Sequence, residues 1–158
     1  MIELSVVVPV YNESESVGIL CERLHAALAG LGRSYEIVLV DDGSTDGTWE
    51  KLVAMAKTYP CLRLIRLRGN FGQTAAMSAG FRESTGNVVV TLDADLQNDP
   101  ADIPLLLRRM EEGGFDVVSG WRKERKDPFL SRRLPSMLAN KVISKITGVA
   151  LHDYGCTL

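Results

Sequence analysis

The amino-acid sequence predicts an α/β domain, a mostly parallel sheet with helices on both faces. Three observations carry this expectation. Short β-branched runs alternate with stretches in which apolar residues recur every three or four positions. The first of these runs is continuously apolar, as in a strand buried on both faces. The 158 residues, 46% apolar and 24% charged, suffice for one domain with a real core and exclude a disordered chain, a collagen or a coiled coil.

Leu4 to Val10 reads as the first strand. Val17, Leu20, Cys21, Leu24, Leu28 and Leu31 then mark one stripe of an amphipathic helix. Glu36 to Val40 is the second strand, and Trp49, Leu52, Val53 and Ala56 define the helix after it. Leu62 to Leu67 is a weaker third strand, followed by a small-residue helix over Gln73 to Ser84. Asn87 to Leu92 is the fourth strand. Asp99-Pro100 signals a helix start, Asp as the cap and Pro in the first position, with Ile103, Leu106, Leu107 and Met110 on one face. Asp116 to Ser119 is expected to be a short fifth strand. After Gly120 the alternation ends, and Leu130, Leu134, Met137, Leu138, Val142 and Ile146 form a helical stripe with Arg133, Lys141 and Lys145 off it.

In open parallel sheets, ligands bind beyond the carboxyl ends of the strands. The segments there are Pro9-Val10-Tyr11-Asn12-Glu13, Asp41-Asp42-Gly43-Ser44 and Asp93-Ala94-Asp95-Leu96-Gln97, so three acidic clusters should meet at one edge. In an extended stretch, side chains two apart point the same way. Asp93, Asp95 and Gln97 are then expected to offer three oxygen ligands on one side. Such ligands suit Mg2+ or Mn2+, which keep waters and substrate phosphate oxygens beside one or two carboxylates. The plainer reading is a solvated turn before the Asp99 cap.

Asp41 and Asp42 repel one another unless something donates to them, and a nucleobase N–H or a metal-bound water would do so. Their neighbours Ser44, Asp46 and Thr48 are also ordinary turn and cap residues. Tyr11 offers a flat face to a base, and Glu13 an acceptor for ring N–H or ribose hydroxyls. Equally, Glu13, Ser14 and Glu15 suit a helix start.

Several chemistries lose their support. No G-x-G-x-x-G follows the first strand and no G-x-x-x-x-G-K-[ST] occurs, which removes the dinucleotide and P-loop readings. No G-x-S-x-G is present, and neither His25 nor His152 has a catalytic partner at motif spacing. Cys21, Cys61 and Cys156 are odd in number and scattered, so neither a zinc site nor a disulfide framework is expected and a reducing compartment fits. Met1 to Leu4 has no positive charge of the signal-peptide kind, and no run of about 18 apolar residues spans a membrane. The net charge of -2 makes no case for nucleic acid. Between Arg122 and Lys145, however, eight basic residues face two acidic ones. Such a segment is a solvated face, a helix packed on its own core, or a helix lying on an anionic membrane surface.

The pieces Pro9-Val10-Tyr11-Asn12-Glu13, Asp41-Asp42-Gly43-Ser44-Thr45-Asp46-Gly47-Thr48, Asn70-Phe71-Gly72-Gln73, Asp93-Ala94-Asp95-Leu96-Gln97-Asn98-Asp99-Pro100 and Asp153-Tyr154-Gly155-Cys156 occur in this order. Together they resemble the family-2 glycosyltransferases of GT-A fold, and within them the polyprenyl-phosphate glycosyltransferases. The resemblance implies a nucleotide-sugar-binding α/β core over 1–120 and a basic, acceptor- and membrane-facing segment of the same domain over 121–158, truncated at the C-terminus. It implies that Pro9, Tyr11, Glu13, Asp41, Asp42 and Asp93 hold a UDP- or GDP-sugar. Asp93, Asp95 and Gln97 would hold Mg2+ or Mn2+. Arg122 would neutralise phosphate and, with Arg132 and Ser136, receive the phosphate of the acceptor lipid. Asp93, Asp95 and Arg122 would carry the chemistry.

The implied reaction is metal-dependent inverting transfer to undecaprenyl or dolichyl phosphate on the cytoplasmic side of the cell membrane. Alternatives are a saccharide or protein hydroxyl as acceptor, and a nucleotide-sugar-binding module without turnover. A nucleotidyltransferase would want a glycine-rich basic loop, which Pro9 to Glu15 lacks. A homo-oligomer is left open.

Overall fold

The structure is a computed structural model that describes residues 1–120. Four parallel strands, β1 (Leu4–Val10), β2 (Tyr35–Asp41), β3 (Leu62–Arg66) and β4 (Val88–Thr91), lie in the order β3-β2-β1-β4. Helices α1 (Val17–Ala29), α2 (Thr48–Thr58) and α3 (Gln73–Glu83) connect them, and α4 (Ile103–Gly113) follows a single 3-10 turn, Pro100–Asp102. The described residues fall into two units that part after Leu105. All four strands and α1 to α3 belong to the first.

Leu4, Val6, Val7, Val8, Val10 and Ile37 to Val40 are all at most 1% exposed, so both faces of the central strands are covered. Each such side chain contributes roughly 1.5–3 kcal/mol on leaving water. On one face Val7, Val38 and Val40 pack with Ala76 of α3. The small-residue composition of α3 has a direct cause here. A Cβ built on Gly80 would stand 2.3 Å from Val7 Cγ1, so only glycine lets the helix lie this close to β1. Leu20, Leu24, Leu28 and Leu52, from α1 and α2, are fully buried as well, and these two helices pack on one another.

The ends of elements follow their local chemistry. Helix α1 stops at Ala29 with Gly30 as its cap, and Leu31 N–H turns back to Leu28 C=O at 3.0 Å. Asp99 caps the 3-10 turn by accepting the Ala101 N–H at 3.0 Å, with Pro100 in the first position as expected. The strand expected over Asp116–Ser119 is not formed. The run takes no regular conformation, and Val117 is 56% exposed rather than buried as a core strand residue would be. No helix of the described residues is long and apolar enough to cross a membrane.

Candidate functional site

From β1 the chain winds outward through β2 to β3, then returns to place β4 on the other side of β1. This reversal is the topological switch point where a crevice forms. The β1–β4 pairing covers only Leu4 to Val7 and ends with Leu92 N–H donating to Val7 C=O at 3.2 Å. Beyond it β1 has one neighbour, and there Pro9 is paired with Val40 of β2. A residue without an N–H is tolerated where a ladder has ended. The gap opens into a cleft of about 340 Å3. Pro9, Val10, Tyr11 and Glu13 line one side; Asp42, Asn70, Gly72 and Gln73 another; Asp93, Ala94 and Asp95 a third. Of the residues singled out in the sequence, Pro9, Tyr11, Glu13, Asp42, Asp93 and Asp95 are thus brought together.

The loop after β1 is held by its neighbour after β2. Ser44 Oγ accepts the Asn12 N–H, Thr48 Oγ1 the Glu13 N–H and Asp46 Oδ2 the Ser14 N–H, at 2.9, 2.9 and 3.0 Å. In return Asn12 Oδ1 accepts the Thr45 N–H at 2.9 Å. Asn12 takes a φ of 53°, a left-handed conformation that asparagine tolerates better than most residues. Asp46 also accepts from the N–H and hydroxyl of Thr48 at the start of α2. These hydrogen bonds hold the Asp46 carboxyl well below its usual range. Glu13 precedes α1 rather than sitting in its first turn, and its carboxylate accepts the Ser16 hydroxyl. Tyr11 is 45% exposed and lines the cleft.

The two adjacent aspartates part company. Asp41 shares a strand face with Ile37 and Leu39 and is fully buried. Its Oδ1 accepts the Ser44 N–H at 3.1 Å. Its Oδ2 lies 3.3 Å from Arg66 Nε, close enough for an ion pair but without hydrogen-bond alignment. The Arg66 guanidinium in turn lies over the Trp49 ring at 5.2 Å. Asp41 does not line the cleft. Asp42 does, and it accepts the Phe71 and Gly72 N–H groups, both at 2.8 Å, one on each oxygen. The donors that relieve the repulsion of the pair are therefore the protein's own. Each Asp42 oxygen retains a second lone pair for a ligand.

The Asp93 to Gln97 segment is a turn, not the extended stretch expected. Leu96 adopts a φ of 60°, and Asp95 Oδ1 accepts the Gln97 N–H at 3.1 Å. That local hydrogen bond breaks the two-residue alternation. Asp93 and Asp95 line the cleft, whereas Gln97 is exposed and does not. Gln73 Nε2 donates to Asp93 Oδ1 at 2.8 Å. Among the described residues no three His, Cys, Asp or Glu side chains gather into a metal cage. Two carboxylates in an open cleft still fit Mg2+ or Mn2+. Such ions complete their shells with water and substrate phosphate.

Asn70, Gly72 and Gln73 received no role from the sequence. The rule that found the other loops points to them too, since Asn-x-Gly-Gln is the polar segment after the third strand. Arg122, Arg132 and Ser136 lie outside the described residues.

The sequence model of the family described as Glycosyl transferase family 2 matches residues 5–157. The chain is 49% identical over 162 residues to the dodecaprenyl-phosphate galacturonate synthase of Rhizobium johnstonii, covering 99% of this chain and 47% of that protein. It is 51% identical over 156 residues to the undecaprenyl-phosphate 4-deoxy-4-formamido-L-arabinose transferase of Pseudomonas paraeruginosa, covering 98% and 45%. The chain spans about half the length of these curated relatives. Among solved structures, the mannosyltransferase PcManGT from Pyrobaculum calidifontis, in complex with GDP-Man and Mn2+, matches with a TM-score of 0.59 at 28% identity, over 74% of this chain and 34% of that one. S. aureus TarS matches with the same TM-score of 0.59 at 23% identity, over 80% and 38%, a likeness of fold alone.

Proposed function

The chain belongs to glycosyl transferase family 2, and on that premise we propose that it serves transfer of a sugar, with inversion, from a nucleoside-diphosphate sugar to a polyprenyl phosphate. The observation that carries this reading is the convergence of Tyr11, Glu13, Asp42, Asp93 and Asp95 on one cleft at the switch point. The cleft has an aromatic face for a base, acceptors for ring N–H and ribose hydroxyls, and a carboxylate pair for a cation. The relatives near 50% identity differ in the sugar their names give and share the polyprenyl phosphate.

In this reading Pro9 and Tyr11 seat the base, Glu13 and Asp42 accept from the nucleoside, and Asp93 and Asp95 hold Mg2+ or Mn2+. Bound there, the cation supplies Lewis-acid stabilisation of the charge that grows on the departing diphosphate. The acceptor phosphate is already an anion, so its oxygen attacks the anomeric carbon without a general base. The bond to the donor diphosphate breaks on the opposite face, which inverts the centre. Arg122, Arg132 and Ser136 are assigned to the acceptor phosphate by their motif positions. The basic stretch from Arg122 to Lys145 suits an anionic membrane surface, on the cytoplasmic side.

Calorimetry with a panel of UDP- and GDP-sugars tests the donor half: binding should need Mn2+ or Mg2+, and Asp95→Ala should abolish that dependence. Affinity indifferent to both metal and substitution would reject the cation site. For the acceptor half, radiolabelled sugar should enter a lipid extract when undecaprenyl phosphate is supplied. Label recovered only in free oligosaccharide would reject the lipid acceptor.

A further inference from the structure

We propose that Gln73 is a positioning residue for Asp93, fixing which lone pairs of that carboxylate face the cleft. The inference rests on the reading above that Asp93 and Asp95 hold a divalent cation. Gln73 Nε2 donates to Asp93 Oδ1 at 2.8 Å, and both residues line the cleft.

The base of the Gln73 side chain is itself held in place. Gln73 is the first residue of α3, directly after Gly72 at a φ of 90°. The Phe71 and Gly72 N–H groups are clamped on Asp42, and Gly80 seats the same helix against Val7. A continuous path thus runs from Asp42, just after β2, through the Asn70–Gly72 loop and Gln73, to Asp93 after β4.

The residue type has a physical reason. The terminal torsion of an aspartate is broad, so each hydrogen bond it accepts restricts the orientation of the carboxylate plane. A donor on Oδ1 narrows that range and occupies one lone pair. Glutamine does so without bringing charge. Lysine or arginine in its place would orient Asp93 equally well but would repel the cation that Asp93 is meant to hold. Groups that orient a metal ligand in this way are commonly worth about 10–100-fold in metal affinity.

The test is a Mn2+ titration of the 158-residue chain followed by electron paramagnetic resonance, with UDP and separately with GDP, for wild type, Gln73→Ala and Gln73→Met. Both variants should bind Mn2+ about 10–100-fold more weakly. Their nucleotide affinity in EDTA and their melting temperature should match wild type, because Gln73 is exposed and touches Asp93 rather than the core. Unchanged Mn2+ affinity in Gln73→Met overturns the inference. So does a parallel fall in metal-free nucleotide affinity, which would mean that the loop, not the carboxylate, had moved. If wild type binds no Mn2+ with either nucleotide, the cation reading falls and this inference with it. If wild type binds and the variants equal it, this inference falls alone.

Discussion

The Ser5 hydroxyl donates to the Glu36 carboxylate at 2.6 Å, across register partners of β1 and β2. Glu36 also accepts the Thr85 N–H and hydroxyl at 2.6 and 2.8 Å, and Arg63 Nη1 at 3.1 Å. These donors tie the α3–β4 connection to the two central strands, at the end of the sheet away from the cleft.

Burial by itself would raise the Glu36 pKa from 4.5, but the hydrogen bonds from Ser5, Thr85 and Arg63 outweigh it and bring it down to about 2. A carboxyl lowered in the folded state contributes stability that is full above its unfolded value and lost as pH falls toward its folded one. Glu36→Gln should therefore cost about 1–3 kcal/mol at neutral pH. The gap to wild type should shrink between about pH 5 and pH 2. Urea midpoints at pH 6 and pH 3 measure it; a gap independent of pH contradicts the assignment.

Asp42→Asn should weaken nucleotide binding by about tenfold or more while the fold persists. The new amide NH2 would face one of the Phe71 and Gly72 N–H groups that Asp42 now accepts at 2.8 Å. The Gly72 N–H would keep Asn70 Oδ1 at 3.2 Å, whereas a part-buried Phe71 N–H left without an acceptor costs up to about 1–3 kcal/mol. Part of that would be relieved by the loop lifting away from the cleft. Calorimetric titration with UDP and GDP, beside a thermal melt, separates the two effects.

Gly80→Ala adds a methyl 2.3 Å from Val7 Cγ1 and 3.2 Å from Val40 Cγ2. Alanine favours a helix by up to about 1 kcal/mol over glycine, but overpacking a filled core costs typically about 1–3 kcal/mol. A net loss is expected. Val7→Ala in the same chain should recover part of it, because the two changes share one space. Strict additivity of the two substitutions would show that α3 is not seated on β1 through this contact.

The strands were legible because β-branched runs buried on both faces carry their own signature, as in Leu4–Val10. The gathering of the strand-end loops around one cleft was legible too, since a parallel sheet brings those loops to one edge. What escaped was contact between distant residues. Nothing near Asp42 in the chain announces that Phe71 and Gly72 will supply its donors, nor near Asp41 that Arg66 will. The extended reading of Asp93 to Gln97 failed because the chain turns at Ala94 and Asp95, and Leu96 then takes a left-handed conformation that leucine seldom adopts. The four-residue run at Asp116 had the right composition for a strand, yet it takes no regular conformation.

Ser44, Asp46 and Thr48 grip the main chain of Asn12, Glu13 and Ser14, and leave the side chains of Tyr11 and Glu13 out of the grip. A clasp that reads only amide hydrogens is indifferent to what those positions display. Under the proposed function, Tyr11 could be exchanged with this scaffold intact, whereas a change at Glu13 would also give up the Ser16 hydroxyl. On that proposal, donor preference in this loop would rest on side chains that the clasp does not hold.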